Sequence, residues 1–418
     1  MLKKTVAAAA VALIAAQTLP VLAADVKQVE VMHWWTSGGE AKALGVLKDD
    51  LKQRGYSWKD SPIAGGDGEA ARTVLRARVA SNNPPDAMQM LGFSVQDYAD
   101  EGLLTNLDAI AAKGGWDKLI PAPIQRFSRA GGNWFAVPVG VHSTNWLFIN
   151  KKIFDELKLT PPQTFDELVV TADKIRKAGY IPLAHGGQAW QDATLFDSAV
   201  MSAGGTRFYT DALVRLDPKA LGSKTMEKAF DQMRKLRGMV DANFSGRDWN
   251  LASSMVINGK AAMQIMGDWA KGEYANAGKK PGVDYICAHY PGTQNAFIFV
   301  TDQFATFKAG KERTAGQYAF AEAIMDKNVQ AKFNQTKGAV PARLDTPMDG
   351  FDECGVKAMT DMRASLQAGT MVGSFAHGQA MPEASKTAVY DVVTHFFNSS
   401  QSSADAVKRL VAAVEGSK

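Results

Sequence analysis

From residue 29 onward, short apolar runs alternate with longer segments whose apolar residues recur at helical spacing. Val29–His33 (VEVMH) has the length and β-branched content of a strand. Between Gly39 and Arg54, the residues Ala43, Leu44, Leu47 and Leu51 share one face, which predicts an amphipathic helix. A second helix is predicted from Ala70 to Ala80, stopped by Ser81-Asn82-Asn83-Pro84-Pro85. A short strand over Asp86–Met90 and a helix from Val95 to Glu101, ended by Gly102, follow. This βαβα rhythm is that of an α/β protein with a parallel, doubly wound sheet.

The rhythm then changes. Gly131–Pro138 (GGNWFAVP) reads as a hairpin edge and Trp146–Asn150 (WLFIN) as a new strand. A helix opens after Pro161-Pro162, with Thr164 as N-cap and Glu167 closing a capping box, and the chain stays largely helical to Ala242. Ala261–Met266 is a mostly apolar run, the pattern of a strand covered on both faces. A strand at Tyr285–Tyr290 and the stretch Ala296–Phe307 precede a helical region that begins at Arg313, with loops at Lys337–Pro341 and Thr346–Gly355. No internal repeat or low-complexity linker separates the halves, so two lobes joined by several short crossings fit better than two independent domains.

The N-terminus reads as an export signal. Lys3 and Lys4 precede an apolar run from Val6 to Leu19, then Pro20-Val21-Leu22-Ala23, with cleavage expected after Ala23 or Ala24. That run is too short to span a bilayer comfortably, which predicts a soluble, exported chain. The formal charge of the whole sequence is +4. With Lys3 and Lys4 removed the mature chain is nearly neutral and its charges are interspersed, which gives no electrostatic case for nucleic acid. Cys287 and Cys354 would meet an oxidising compartment, where pairing is the default and two buried thiols the alternative.

Candidate chemistry gathers at strand ends, the edge of an open α/β sheet where ligands bind. Gly267-Asp268-Trp269 ends the Ala261–Met266 run. A carboxylate beside an indole suits a polyhydroxylated ring, since one accepts hydroxyl hydrogen bonds and the other covers the C–H face. His33-Trp34-Trp35-Thr36-Ser37-Gly38-Gly39-Glu40 follows the first strand, and two adjacent indoles cannot both enter one core face. At least one of Trp34 and Trp35 should therefore face the cleft, with Glu40 as a hydroxyl acceptor. Gln89, ending the next strand, offers a donor and an acceptor.

Enzyme readings find little support. No His-Glu-x-x-His, nucleophile elbow, Walker A or dinucleotide fingerprint occurs, and Gly65-Gly66-Asp67-Gly68 is read as a turn. The Asp345/Asp349/Asp352/Glu353 cluster lacks the EF-hand pattern and is read as a solvated loop, so neither metal nor cofactor is expected. Glu40, Asp268 and Asp302 leave a secreted glycoside hydrolase as the alternative, without a separate acid–base signature.

Several segments together resemble the substrate-binding proteins of ABC sugar importers, the family of the maltose-binding protein. They are VEVMHWWTSGGE (29–40), GGDGEAARTVLRARVASNNPPDAMQM (65–90), WLFINKKIFDELKL (146–159), PPQTFDEL (161–168), INGKAAMQIMGDWAKGEYA (257–275), NQTKGAVPAR (334–343) and SFAHGQA (374–380). Within that family the chain is most similar to the periplasmic glucose-binding proteins of Gram-negative bacteria. The resemblance implies two α/β lobes closing on a ligand, with crossings near Val139–His142, Thr301–Asp302 and Ile324–Asn328. It divides the chain into a signal (1–23), an N-terminal lobe (24–139 plus 302–326) and a C-terminal lobe (140–301 plus 327–418). It further implies a periplasmic monomer that hands a monosaccharide, D-glucose before galactose, mannose or a disaccharide, to an inner-membrane permease. By the same resemblance Asp302, Lys337 and His377 contact the sugar. Lys337 is expected beside Asp302 or Asp268 to balance its charge, and Asp268 is expected to orient Trp269 or Lys337 from behind.

Overall fold

The computed structural model describes residues 27–417. The proposed signal and its cleavage site lie outside the described residues.

The two lobes are each built on a sheet flanked by helices. The first sheet runs in the order Val340–Pro341, Ala136–Ser143, Phe297–Thr306, Ala87–Met90, Gln28–His33, Ser57–Pro62, with Met371–Gly373 paired to the start of Phe297–Thr306. The second runs Tyr285–His289, Trp146–Asn150, Ala261–Met266, Ile181–Ala184. The first sheet is not wholly parallel, as the βαβα rhythm suggests. Gln28–His33 is parallel to both Ser57–Pro62 and Ala87–Met90, but Phe297–Thr306 returns from far along the chain and inserts antiparallel between Ala87–Met90 and Ala136–Ser143.

Phe297–Thr306 also changes partners along its length. Phe297–Phe299 pair with Met371–Gly373, whereas Gln303–Thr306 pair with Ala87–Met90. The register against Ala136–Ser143 slips between Asp302 and Gln303. The extra residue is Val139, so the bulge lies in Ala136–Ser143, directly opposite Asp302, the residue that borders the cavity described below.

Local signals fix several element ends. Thr164 and Glu167 form a reciprocal capping box on the helix Phe165–Lys177, and Ser37 with Glu40 forms another on Gly38–Gln53. Gly259 takes a positive φ of 72° at the turn into Ala261–Met266. Trp146–Asn150 is buried throughout, with Leu147 and Ile149 packing into the core of the second lobe and Trp146 and Phe148 on the opposite face. The helix Ala189–Tyr209 is buried for most of its length and carries Gln191, Asp192, Asp197 and Ser198 inside, so it sits at the centre of its lobe.

Cys287 and Cys354 form a disulfide with their Cα atoms 6.1 Å apart, joining the strand Tyr285–His289 to the first turn of Glu353–Ala368. Asp352 is not a solvated loop residue: it caps that helix through the Gly355 N–H at 2.8 Å and pairs at 2.8 Å with the buried Lys271 ammonium. Thiol titration of denatured, unreduced protein is expected to find no free sulfhydryl. Reduction is expected to lower the melting temperature, since a crosslink across a loop this long contributes roughly 4 kcal/mol in the chain-entropy account. Neither cysteine borders the cavity, so ligand affinity is expected to stay within about twofold of the oxidised protein. Two titratable thiols, or an unmoved melting curve on reduction, would overturn this.

Candidate functional site

A cavity of about 250 Å³ lies between the lobes, bordered by residues from both sheets. On one side the strand Gln28–His33 ends in Trp34 and Trp35. Trp35 is 3% exposed and wedged against Phe304 and Phe333, with ring centroids at 5.6 and 5.4 Å, so it forms the floor. Trp34 is half-buried and offers more of its ring. Gly68, at φ 79°, makes this possible, because a Cβ there would stand 2.6 Å from the Trp34 ring. Its neighbour Asp67, at φ 51°, brings its carboxylate to the cavity edge, a role the reading of Gly65–Gly68 as a plain turn missed.

Glu40 does two things. One carboxylate oxygen accepts the Thr36 and Ser37 N–H groups at 3.1 and 3.2 Å, which caps the helix. The other faces the Lys337 ammonium at 3.5 Å. Lys337 is thus balanced by Glu40 and not directly bonded to Asp302 or Asp268 as the sequence reading expects. It also lies 5.4 Å from the centroid of the Trp35 ring. The reason is topological: Lys327–Lys337 packs along Gly38–Gln53, so the last turn of one meets the first turn of the other.

Opposite, Ala261–Met266 leads through Gly267 to Asp268 and Trp269. A Cβ at Gly267 would stand 2.0 Å from the Trp269 ring, so only glycine lets that indole fold back over the strand end. Trp269 is 8% exposed, with its ring edge-on to His142 and His377 at 5.3 Å each. Trp190 stands 6.3 Å from it. At the mouth, Gln188 accepts from the Trp190 indole N–H at 2.7 Å and donates to Asp248 at 2.6 Å, and Trp249 and Asn250 complete that wall.

The base of the cavity is an ionic chain. His142 Nδ1 lies 2.5 Å from Asp268 and Nε2 lies 3.0 Å from Asp302. Burial works against charge on this imidazole, yet the Asp268 carboxylate and hydrogen bonds to both acids raise its pKa above the ordinary histidine value. Burial would likewise push Asp302 up, but His142, Lys337 and Gln89 hold its carboxyl below the usual range. His142 is thus held between two carboxylates that favour its charged form, and Asp302 is kept as an acceptor.

Two expectations need correction. Gln89 does not border the cavity. It is fully buried, donates to Asp302 at 3.0 Å and accepts the Trp34 N–H at 3.3 Å, so both ends of its amide already have protein partners. It orients two lining residues from behind. Asp268 does stand behind the lining, but it orients His142 and accepts the Ser143 N–H at 3.0 Å in place of holding Trp269 or Lys337.

His377 is 3% exposed and bridges the lobes. Its Nδ1 lies 3.2 Å from Asp67 and its Nε2 lies 3.3 Å from the Thr194 hydroxyl. Nearby, the Gly39 N–H donates to Glu273 at 2.8 Å. Trp34, Trp35, Glu40, Trp269, Asp302, Lys337 and His377 thus line one cavity. His142, Asp67, Gln188, Trp190 and Asp248–Asn250 join them, and these the sequence reading did not single out.

A cavity between two lobes, walled by indoles and bordered by charged groups, is the geometry of a solute-binding protein. Residues 23–332 match the bacterial extracellular solute-binding proteins, and the chain belongs to that family. It is 56% identical over 411 residues to a probable sugar-binding periplasmic protein of Brucella suis biovar 1 (strain 1330), covering 98% of this chain and 97% of that one. A protein of the same description from Rhizobium meliloti (strain 1021) is 54% identical over 392 residues, 94% of each chain. Among solved structures, a chitin oligosaccharide binding protein superposes with a TM-score of 0.78 at 16% identity, covering 93% of this chain and 98% of that one. The maltose-bound MalE3 of T. maritima gives 0.74 at 15% identity, with 93% and 99% covered. The protein is periplasmic, and it binds a solute without transforming it. Among the described residues no helix is long and apolar enough to cross a membrane.

Proposed function

We propose that this protein captures a monosaccharide, D-glucose before galactose or mannose, and delivers it as a monomer to an inner-membrane ABC importer. The observation that carries the reading is the pairing of indoles with fixed charges inside one small cavity. Trp269 and Trp34 offer apolar faces, while Asp302, Glu40, Lys337 and His377 offer acceptors and donors around them. The relatives at more than half identity bear the description probable sugar-binding, which supports the same ligand class. A volume near 250 Å³ favours one pyranose ring over a longer chain.

In this reading residues 24–139 plus 302–326 and residues 140–301 plus 327–418 open to admit the sugar and close around it. The permease recognises the closed form. Each stacking aromatic contributes about 1 kcal/mol beyond area, and each hydroxyl bonded to a charged group about 1.5–3 kcal/mol. After the entropy of binding is met, micromolar or tighter affinity is expected. Calorimetric titration with D-glucose, D-galactose, D-mannose and maltose tests this. D-glucose is expected to bind most tightly, with no product formed. Tighter binding of maltose, or no heat with any of the four, would overturn the assignment.

A further inference from the structure

His377 reaches the cavity from a tight segment, and one buried acid holds that segment in place. Asp197, in the middle of Ala189–Tyr209, is fully buried. Its carboxylate accepts from the Ser374 hydroxyl and from the N–H groups of Phe375 and Ala376 at 3.2 and 3.4 Å, and the Tyr209 hydroxyl lies 2.5 Å away. Ser374 Oγ in turn accepts the His377 N–H at 3.3 Å. The same helix places Trp190 in the cavity wall and sets Thr194 against His377 Nε2.

We propose that Asp197 is a positioning residue for ligand binding, fixing residues 374–377 to the central helix and thereby setting where His377 meets the sugar. This rests on the sugar-binding reading above. The charged and titratable groups facing the site are few. Tyr209 comes from the turn beyond the break at Gly205, His377 from the loop, and Tyr390, from Glu383–Phe397, donates to the Ala376 carbonyl. Lys386 lies on that last helix but pairs with Glu383 at 2.9 Å. Burial raises the Asp197 carboxyl to about 6, with the hydrogen bonds from Ser374 and Tyr209, the charge of His377 and the Phe375 N–H working the other way.

Acidification through that range therefore adds a proton to Asp197. One oxygen then becomes a donor and one of its partners loses an acceptor, which loosens the segment. The sign separates this role from bulk stability. A carboxyl whose pKa is raised by folding favours the fold at low pH, and that contribution fades as pH rises through about 6. Through this group, acid should favour the fold while weakening the sugar.

The test is D-glucose calorimetry from about pH 5 to pH 8 on wild type, Asp197→Asn, His377→Ala and the double variant, beside amide NMR of sugar-free protein. Wild-type affinity is expected to fall roughly fivefold or more below the inflection. Asp197→Asn is expected to bind roughly fivefold weaker at neutral pH and to lose the inflection. In the His377→Ala background the same change is expected to cost under about twofold. The Phe375 and Ala376 amide signals should titrate near pH 6 in wild type and not in Asp197→Asn. An Asn variant within twofold of wild type, an inflection that survives it, or an equal cost in both backgrounds would overturn the proposal. If Asp197→Asn does not fold, Ser374→Ala replaces it, with the same pattern expected at smaller size. A wild type that ignores D-glucose overturns the glucose assignment alone, and the amide titration then decides whether Asp197 holds the segment.

Discussion

Trp269→Ala is expected to weaken sugar binding at least about tenfold, the loss of a stacked face plus the water admitted behind it. Read from the sequence as a cleft platform, Trp269 could be lost with the melting temperature of the sugar-free protein nearly unchanged. The structure revises that half. Trp269 is only 8% exposed, with His142 and His377 edge-on against it and Trp190 beyond. Complete truncation of a buried Trp costs about 3–5 kcal/mol, and one bordering a cavity should cost less because part of its surface has no protein neighbour. A modest fall in melting temperature should therefore accompany the loss of affinity. Trp269→Phe separates the two effects, restoring most of the packing and part of the stacking. Calorimetry and thermal unfolding on both variants check this. Intact affinity with a large stability loss in Trp269→Ala would show the indole to be core alone.

Much of the fold was legible because its signals are local. The Thr164–Glu167 capping box and the buried run of Ala261–Met266 each depend on residues a few positions apart. One edge strand of the first sheet was not. Ser57–Pro62 (SWKDSP) has no apolar alternation and pairs on one side only, where charged residues discourage further pairing, so nothing in its pattern marks it as a strand.

The site divides along the same line. Trp34, Trp35 and Trp269 could be proposed because indoles at strand ends have few places to go. His142 lies in a strand otherwise mostly apolar, and its partners are 126 and 160 positions away, so no window reveals the pairing. Trp190 and Trp249 were missed although a signal existed. Like Trp269, each opens a helix next to a carboxylate or amide, in Trp190-Gln191-Asp192 and Asp248-Trp249-Asn250. Gln89 was misplaced for a different reason: sequence shows that a side chain can pair, but not that a buried neighbour has already taken it.

His142→Ala is expected to be the most damaging single change in the cavity, striking stability and affinity together. Asp268 and Asp302 are 2% and 6% exposed, and each lies within 3.0 Å of the His142 ring between them. Removing one partner of a buried ionic group costs about 3–5 kcal/mol, because the remaining charges are left without compensation. Lys337, 3.5 Å from Glu40, already has a carboxylate of its own and compensates only in part. The pH dependence carries the sign. His142, raised on folding, contributes stability that is complete below its unfolded value and is lost as pH rises through the folded one. Asp302, lowered on folding, contributes stability that is present above its unfolded value and is lost as pH falls through the folded one. Wild type should thus be least stable at both extremes through this chain, and His142→Ala should lose the alkaline limb. Sugar affinity should fall with it, since Asp302 would keep Gln89 alone to hold its orientation. Denaturant unfolding across pH, paired with D-glucose titration, decides the matter. A variant within about 1 kcal/mol of wild type, with its alkaline limb intact, would mean that His142 is neutral in the fold.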